Sequence, residues 1–327
     1  MSVEELAEKI RGGDRRALAR AITLVESRRE DHRLSAEKLL DLLLPKTGKS
    51  IRLGISGPPG VGKSTFIEAF GQYLIDSGHK VAVLAIDPSS KISGGSILGD
   101  KTRMTELAKR KEAFIRPSPA GETLGGVARR TREALLLCEA AGFDVVIVET
   151  VGVGQSETAV AEMTDMFLLL LSPGGGDDLQ GVKRGVMELA DLLIVNKADG
   201  DLATAAERTA SDYAHALRLM HALHADWQPG VIKCSALKGE GMAAVWDKVQ
   251  GFRKATARSG EFENRRRDQA RNWLWQEVSD GLLDRVKSDP DLADRLARLE
   301  TKVSQRKASP AAAARQLLSS FFKGLED

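Results

Sequence analysis

Cysteine is scarce. Two residues, Cys138 and Cys234, stand in a chain of 327, which excludes a disulfide framework, and neither belongs to a C-x-x-C pair. Charge of one sign is also missing. Lys+Arg 48 against Asp+Glu 46 leaves +2, giving no overall electrostatic drive toward nucleic acid or an anionic membrane. No segment approaches the roughly 20 apolar residues of a membrane span; the densest run, Met166 to Leu171, is short. The opening Met-Ser-Val-Glu-Glu-Leu has no basic region followed by an apolar core, so no secretory signal is expected, and the expected location is cytoplasmic. What is present is a globular mixture, 42% hydrophobic and 29% charged, with one excess: 31 glycines where average usage would give about 23.

The first stretch reads as helices. Ser2 and Glu5 form a possible capping box, Asp14 could cap a second helix, and Ser35 is expected to open a third that Pro45 stops. From Ile51 the pattern changes to short apolar runs: Ile51–Ile55, Val81–Ile86, Val145–Val148, Phe167–Leu171, Leu192–Val195 and Val231–Lys233. Each is apolar on both faces, as strands between helical layers should be. Helical patterns alternate with them at Ser64–Leu74, Arg129–Ala140, Asp201–His224 and Met242–Phe252. Alternating β and α predicts a mostly parallel sheet flanked by helices. Past Arg258 the strands cease, and helices follow, the last opened by Ser309-Pro310. The expected organisation is a helical extension over 1–46, an α/β domain over 47–258 and a helical arm over 259–327.

Gly57-Pro58-Pro59-Gly60-Val61-Gly62-Lys63-Ser64 fits the P-loop template G-x-x-x-x-G-K-[ST] in full, between a strand and a helix. Glycines let successive N–H groups turn toward phosphate oxygens, and the helix N-terminus favours negative charge. Lys63 would bridge the β- and γ-phosphates and Ser64 would bind Mg²⁺, with Thr65 beside it. Gly48-Lys49-Ser50 repeats three of the letters, but Leu43 stands where the template needs glycine, so it reads as a loop.

Asn196-Lys197-Ala198-Asp199 follows directly on a strand. Its N-K-x-D arrangement suits guanine, whose ring imino and exocyclic amino hydrogens are both donors to the Asp199 carboxylate; adenine offers no such pair. Asn196 would hold the loop and Lys197 would lie along the purine face. By itself the tetrapeptide could also be a helix cap. Ser235-Ala236-Leu237 is like the second guanine loop of GTP-binding proteins, and together with the P-loop the order selects GTP or GDP.

Glu149-Thr150-Val151-Gly152 ends another strand where most GTP-binding proteins have Asp-x-x-Gly, so Glu149 is expected near Mg²⁺. Asp87 and Asp100 are further candidate acids; both also suit a turn or cap. Candidate catalytic residues are Lys63 and Glu149, and candidate metal-site residues are Ser64, Asp87, Asp100 and Glu149. Val153, not glutamine, follows the motif glycine, and Gln155 comes later, so slow hydrolysis is expected. Whether Arg103, Gln155 or Lys183 takes part stays open.

These segments resemble the GTPase family of MeaB and ArgK, chaperones associated with methylmalonyl-CoA mutase. The resemblance rests on residues 54–65, 85–90, 94–104, 149–157 and 196–199, and extends over essentially the whole chain. It implies Mg²⁺-dependent GTP binding, slow hydrolysis, association with the adenosylcobalamin-dependent mutase, gating of cofactor delivery, protection or reactivation of the mutase, and a homodimer held by the C-terminal arm. It also implies that Gly174–Lys183 is a mobile segment communicating with the mutase, although a plain connection fits the residues equally. The alternative is a metallochaperone GTPase for nickel or another metal, which should carry Cys or His clusters. Cys138 and Cys234 lie in apolar patterns and are expected in the core, while His215, His221 and His224 are expected on one helix without completing a ligand set. A P-loop kinase or ATP-dependent ligase would prefer ATP, against Asn196–Asp199. Arg265-Arg266-Arg267 reads as a solvated helix face, and Trp273 as a core or dimer-seam residue.

Overall fold

In the computed structural model, residues 1–27, 29–87, 104–119, 124–150, 156–174, 184–220 and 224–323 are described. Helices α1 (Val3–Arg11), α2 (Arg15–Val25) and α3 (Glu30–Leu43) open the chain. Ser2 caps α1 in the expected box with Glu5, and Asp14 accepts the N–H groups of Arg16 and Ala17 at the start of α2. Ser35 does not open α3. It lies inside the helix, its hydroxyl donating to the Asp31 carbonyl, and α3 begins five residues earlier with an acidic first turn.

The α/β part then runs β1 (Ile51–Ser56), α4 (Lys63–Asp76), β2 (Val81–Asp87), α5 (Thr105–Lys109), β3 (Ala113–Pro119), α6 (Leu124–Ala140), β4 (Val145–Thr150), α7 (Ser156–Ala161), β5 (Met166–Leu171), α8 (Arg184–Met187), β6 (Leu192–Val195), α9 (Ala203–Arg218), β7 (Gly230–Lys233) and α10 (Met242–Ser259). Seven strands form one sheet in the order β3-β2-β4-β1-β5-β6-β7, and every pairing is parallel. Six of them are the runs read from the sequence. The seventh, β3, went unseen because Arg116, Pro117 and Pro119 break the apolar signature; proline is tolerated there since β3 is an edge strand.

Apolar side chains fill both faces of the sheet. On one, Phe66 and Phe70 of α4 and Val245 and Val249 of α10 bury alternate residues of β1 such as Leu53 and Ile55. On the other, α1–α3, α6, α7 and α9 contribute Ile10, Leu18, Ile22, Leu39, Leu135, Val160 and Tyr213. The N-terminal helices therefore share a core with the sheet. β1 is central, with β4 on one side and β5 on the other, so the loop at its C-terminal end opens where the sheet's connections diverge, the favoured ligand position in such sheets.

The chain divides into two compact units, Met1–Gln269 and Ala270–Asp327, and α11 (Glu261–Ser288) contributes to both. In the second unit, α12 (Pro290–Ser304) is capped by Asp289, and α12 and α13 (Pro310–Lys323) bury Leu292, Leu299, Ala313 and Phe321. Leu274, Trp275, Val278, Leu282 and Leu283 of α11 are exposed.

Candidate functional site

β1 ends at Ser56, and the chain turns through Gly57–Gly62 into α4. Two glycines are demanded by space as well as by angle. A Cβ at Gly57 (φ +153°) would stand 2.5 Å from the Leu170 carbonyl oxygen, and one at Gly62 (φ +91°) 2.8 Å from Asn196 Nδ2. The turn thus lies directly on the strand end and on the loop after β6. Pro59, Gly60, Gly62, Lys63, Ser64, Thr65, Ala85, Ile86, Glu149 and Thr150 line a cavity of about 510 Å³ at this edge of the sheet.

Lys63 donates its Nζ to the carbonyls of Gly57 (2.7 Å) and Pro58 (3.2 Å). Burial pushes its pKa down, while the charges of Glu149 and Glu157 pull the other way. Ser64 Oγ donates to Glu149 Oε1 at 3.4 Å, bringing the hydroxyl and the buried carboxylate together across α4 and β4. Thr150 donates to Ser56 Oγ at 2.9 Å beneath the loop. Glu157, buried in the first turn of α7, is a second carboxylate acting on Lys63 that the motifs had not singled out.

Asn196 ties three loops together. Its Nδ2 donates to the Val61 carbonyl (2.9 Å), and its Oδ1 accepts the Ala236 N–H (3.0 Å) and the Cys234 thiol (3.6 Å). Lys197, at φ +58°, donates to the Gly60 carbonyl at 2.7 Å; such a backbone is costly for a non-glycine residue and is held here by its neighbours. Ser235 Oγ donates to Asp199 Oδ2 and itself accepts the Lys238 N–H. Ala236 is buried, whereas Leu237 is exposed. The structure therefore brings Gly57–Thr65, Glu149, Asn196–Asp199 and Ser235–Ala236 to one end of the sheet. The backbone of Asp87 closes β2 at the same end. Asp100, Arg103, Gln155, Lys183 and the segment 175–183 lie outside the described residues.

The histidine reading is corrected. α9 ends at Arg218, so His224 is not on a helix with His215; it is buried against Asp191 and Glu261, and His221 lies outside the described residues. Among the described residues no group of three or more His, Cys, Asp and Glu side chains is placed to hold a metal ion. Cys138 and Cys234 are both buried and free, as expected. Burial drives both thiols above their ordinary pKa, Cys234 to about 12.

Against known protein families, residues 18–291 match the family described as "Methylmalonyl Co-A mutase-associated GTPase MeaB". The chain belongs to the MeaB family. A Caulobacter vibrioides protein named as a GTPase is 55% identical over 321 residues, 98% of each chain. GTPase ArgK of Escherichia coli is 47% identical over 316 residues, 97% of this chain and 96% of that one. A crystal structure titled LAO/AO transport system kinase superposes with a TM-score of 0.78 at 41% identity, covering 98% of this chain and 97% of the other. The fold is that of a P-loop GTPase with helical additions at both ends, and the MeaB-family chain is a GTP hydrolase. Among its described residues no helix is long and apolar enough to cross a membrane.

The run at Arg265–Arg267 is not a uniform solvated face. Arg266 donates to both carboxylate oxygens of Asp165 at 2.7 Å and to the carbonyls of Gly48 and Ser50 at 2.6 Å, with its guanidinium over the Phe262 ring. Arg267 alone is exposed, reaching Asn264. A triplet of like charges shows no periodicity that separates the buried residue from its neighbours.

Proposed function

We propose that this MeaB-family GTPase is a nucleotide-gated chaperone of an adenosylcobalamin-dependent methylmalonyl-CoA mutase, controlling cofactor delivery and protecting or reactivating the mutase in the cytoplasm. The observation that carries the reading is a guanine-type loop physically tied to a P-loop, through Asn196 and Val61, in a chain whose family is described by association with that mutase.

In this reading Gly57, Pro58, Gly60, Val61, Gly62 and Thr65 surround the phosphates, with backbone N–H groups and the N-terminus of α4 supplying partial positive charge. Lys63 leaves its carbonyl partners to meet phosphate oxygens, placing a cation where negative charge grows as the γ-phosphoryl group departs. Asp199, oriented by Ser235, accepts the two guanine donors, and Lys197 covers the base. The N–H of Ala236, Asn196 and Leu237 complete that loop. The Ser64 hydroxyl beside the Glu149 carboxylate is an all-oxygen pair of the kind Mg²⁺ requires, and Asp87 and Asp100 are assigned to the same ion. When bound, Mg²⁺ would offset phosphate charge. No residue in the cavity is assigned as a base, in keeping with slow hydrolysis.

We further assign 1–46, 47–258 and 259–327 as helical extension, GTPase domain and dimerisation arm. Leu274, Val278 and Leu282 repeat every fourth residue on α11 and are exposed. A second copy of the chain suits this stripe, and sedimentation should report a dimer that Leu274→Asp with Leu282→Asp weakens.

Calorimetry with the mutase, comparing GDP with a non-hydrolysable GTP analogue, tests the chaperone reading. Binding that differs between the two nucleotides is expected. No association under either sinks that reading and leaves the GTPase standing.

A further inference from the structure

Between the two guanine-type loops in sequence, His224 is 5% exposed and meets three charged groups. Its Nδ1 lies 2.5 Å from Glu261 Oε1, and its Nε2 lies 2.9 Å from Asp191 Oδ1. Arg265 Nη1 also stands 2.9 Å from the same Nε2. One nitrogen cannot serve both of the last two partners. Toward Asp191 it must donate a proton, and from Arg265 it must accept one.

The partners are themselves fixed. Asp191 precedes β6, and its other oxygen accepts the Phe167 N–H of β5 at 2.8 Å. Its carbonyl accepts the Trp227 indole N–H at 2.9 Å. Glu261 and Arg265 stand on the first two turns of α11, and Arg265 Nη2 reaches the Ala161 carbonyl at 3.2 Å. From α10 the ring meets Phe252, edge-on with centroids 5.3 Å apart and uncharged. Among the described residues the charged groups facing His224 are therefore Asp191, Glu261 and Arg265.

We propose that His224 is a proton-operated switch at the root of α11: charged, it donates to Asp191 and Glu261 together; neutral, it keeps Glu261 and turns Nε2 to accept from Arg265. Burial by itself would lower the pKa, but the bonds to Asp191 and Glu261 outweigh it against the repulsion of Arg265, so the pKa lies above its ordinary value. A raised folded-state pKa means the charged arrangement stabilises the fold fully below the unfolded-state value and is lost as pH rises through the folded one. Within the first unit, the hold of Glu261 and Arg265 on the start of β6 weakens on the alkaline side. Arg266 on Asp165 and Gln269 on the Thr164 carbonyl are separate attachments that the switch leaves in place.

Histidine-selective NMR on the full-length protein across mildly acid to alkaline pH tests this. His224 should titrate with a midpoint above the ordinary histidine value, and the Trp227 indole resonance should follow the same midpoint. Glu261→Gln should lower the midpoint by about one pH unit, the loss of one close carboxylate, and Arg265→Gln should raise it. Amide exchange over 262–269, corrected for its intrinsic pH dependence, should quicken above the midpoint in the wild type, and His224→Gln should remove that step. Because Glu261 is partly exposed, Glu261→Gln decides the matter if Arg265→Gln does not fold. A His224 midpoint at or below the ordinary histidine value, or one that Glu261→Gln leaves in place, overturns the proposal.

Discussion

Asn196 offers the sharpest separation between a residue that fills space and one that ties loops. Its amide donates to the Val61 carbonyl and accepts the Ala236 N–H, and both partner residues are almost fully buried. Asn196→Ala strands both groups away from water. At about 1–3 kcal/mol for each buried group left unpaired, the loss of unfolding free energy should be about 2–6 kcal/mol, a large share of the total of about 5–15 kcal/mol. Both loops belong to the proposed nucleotide site, so GDP affinity should fall by about 10- to 100-fold. Asn196→Asp is the decisive companion. It preserves shape and keeps an oxygen for Ala236, but it sets a second carboxylate oxygen opposite the Val61 carbonyl oxygen at the 2.9 Å now spanned by a hydrogen bond. It should therefore cost at least as much as alanine. Urea unfolding gives the stability, and displacement of a fluorescent GDP analogue gives the affinity. If Asn196→Asp lay within about 0.5 kcal/mol of wild type, the range of an ordinary surface change, the tie between the loops would carry no weight and the reasoning would be refuted.

Three other outcomes are expected. Asp199→Asn should lose guanine nucleotide by about 10²–10⁴-fold, since two hydrogen bonds to a charged acceptor are worth about 1.5–3 kcal/mol each, and should admit xanthosine diphosphate; competition binding with both nucleotides checks this. Arg266→Ala should destabilise by about 3–5 kcal/mol by leaving the buried Asp165 carboxylate without its cation, whereas Arg267→Ala should change little; thermal or urea unfolding compares the pair. Neither thiol should react with a disulfide reagent at mildly alkaline pH in the native state, and both should appear on unfolding; titration of the native protein yielding two fast thiols would contradict the burial of Cys138 and Cys234.

Motifs were legible wherever chemistry restricts residue choice. The P-loop needs glycine where φ is positive and where the Leu170 carbonyl and Asn196 crowd the backbone, so its spacing is visible without coordinates. Asn196, Lys197 and Asp199 could be read in order because N-K-x-D follows directly on a strand end, but that Asn196 reaches back to Val61 could not, since the two are 135 residues apart. Strands buried on both faces announced themselves as apolar runs. β3 did not, because an edge strand can carry Arg116 and two prolines. His224 and Arg266 were misread for a shared reason: their partners, Asp191 and Asp165, arrive from the starts of neighbouring strands, and no local periodicity records a pairing made by the sheet. That Ser64 meets Glu149 at the C-terminal end of the sheet follows from strand-end and helix-start signals that were both strong.

The proposed gating of cofactor delivery is tested most directly by loading apo-mutase with adenosylcobalamin in the presence of this GTPase, following the cofactor's absorbance with GTP, GDP or a non-hydrolysable analogue. Loading is expected to depend on the nucleotide, and Lys63→Ala, which removes the cation assigned to the phosphate site, should erase the difference between nucleotides. Equal loading with each nucleotide, and equal loading without the GTPase, would contradict the account.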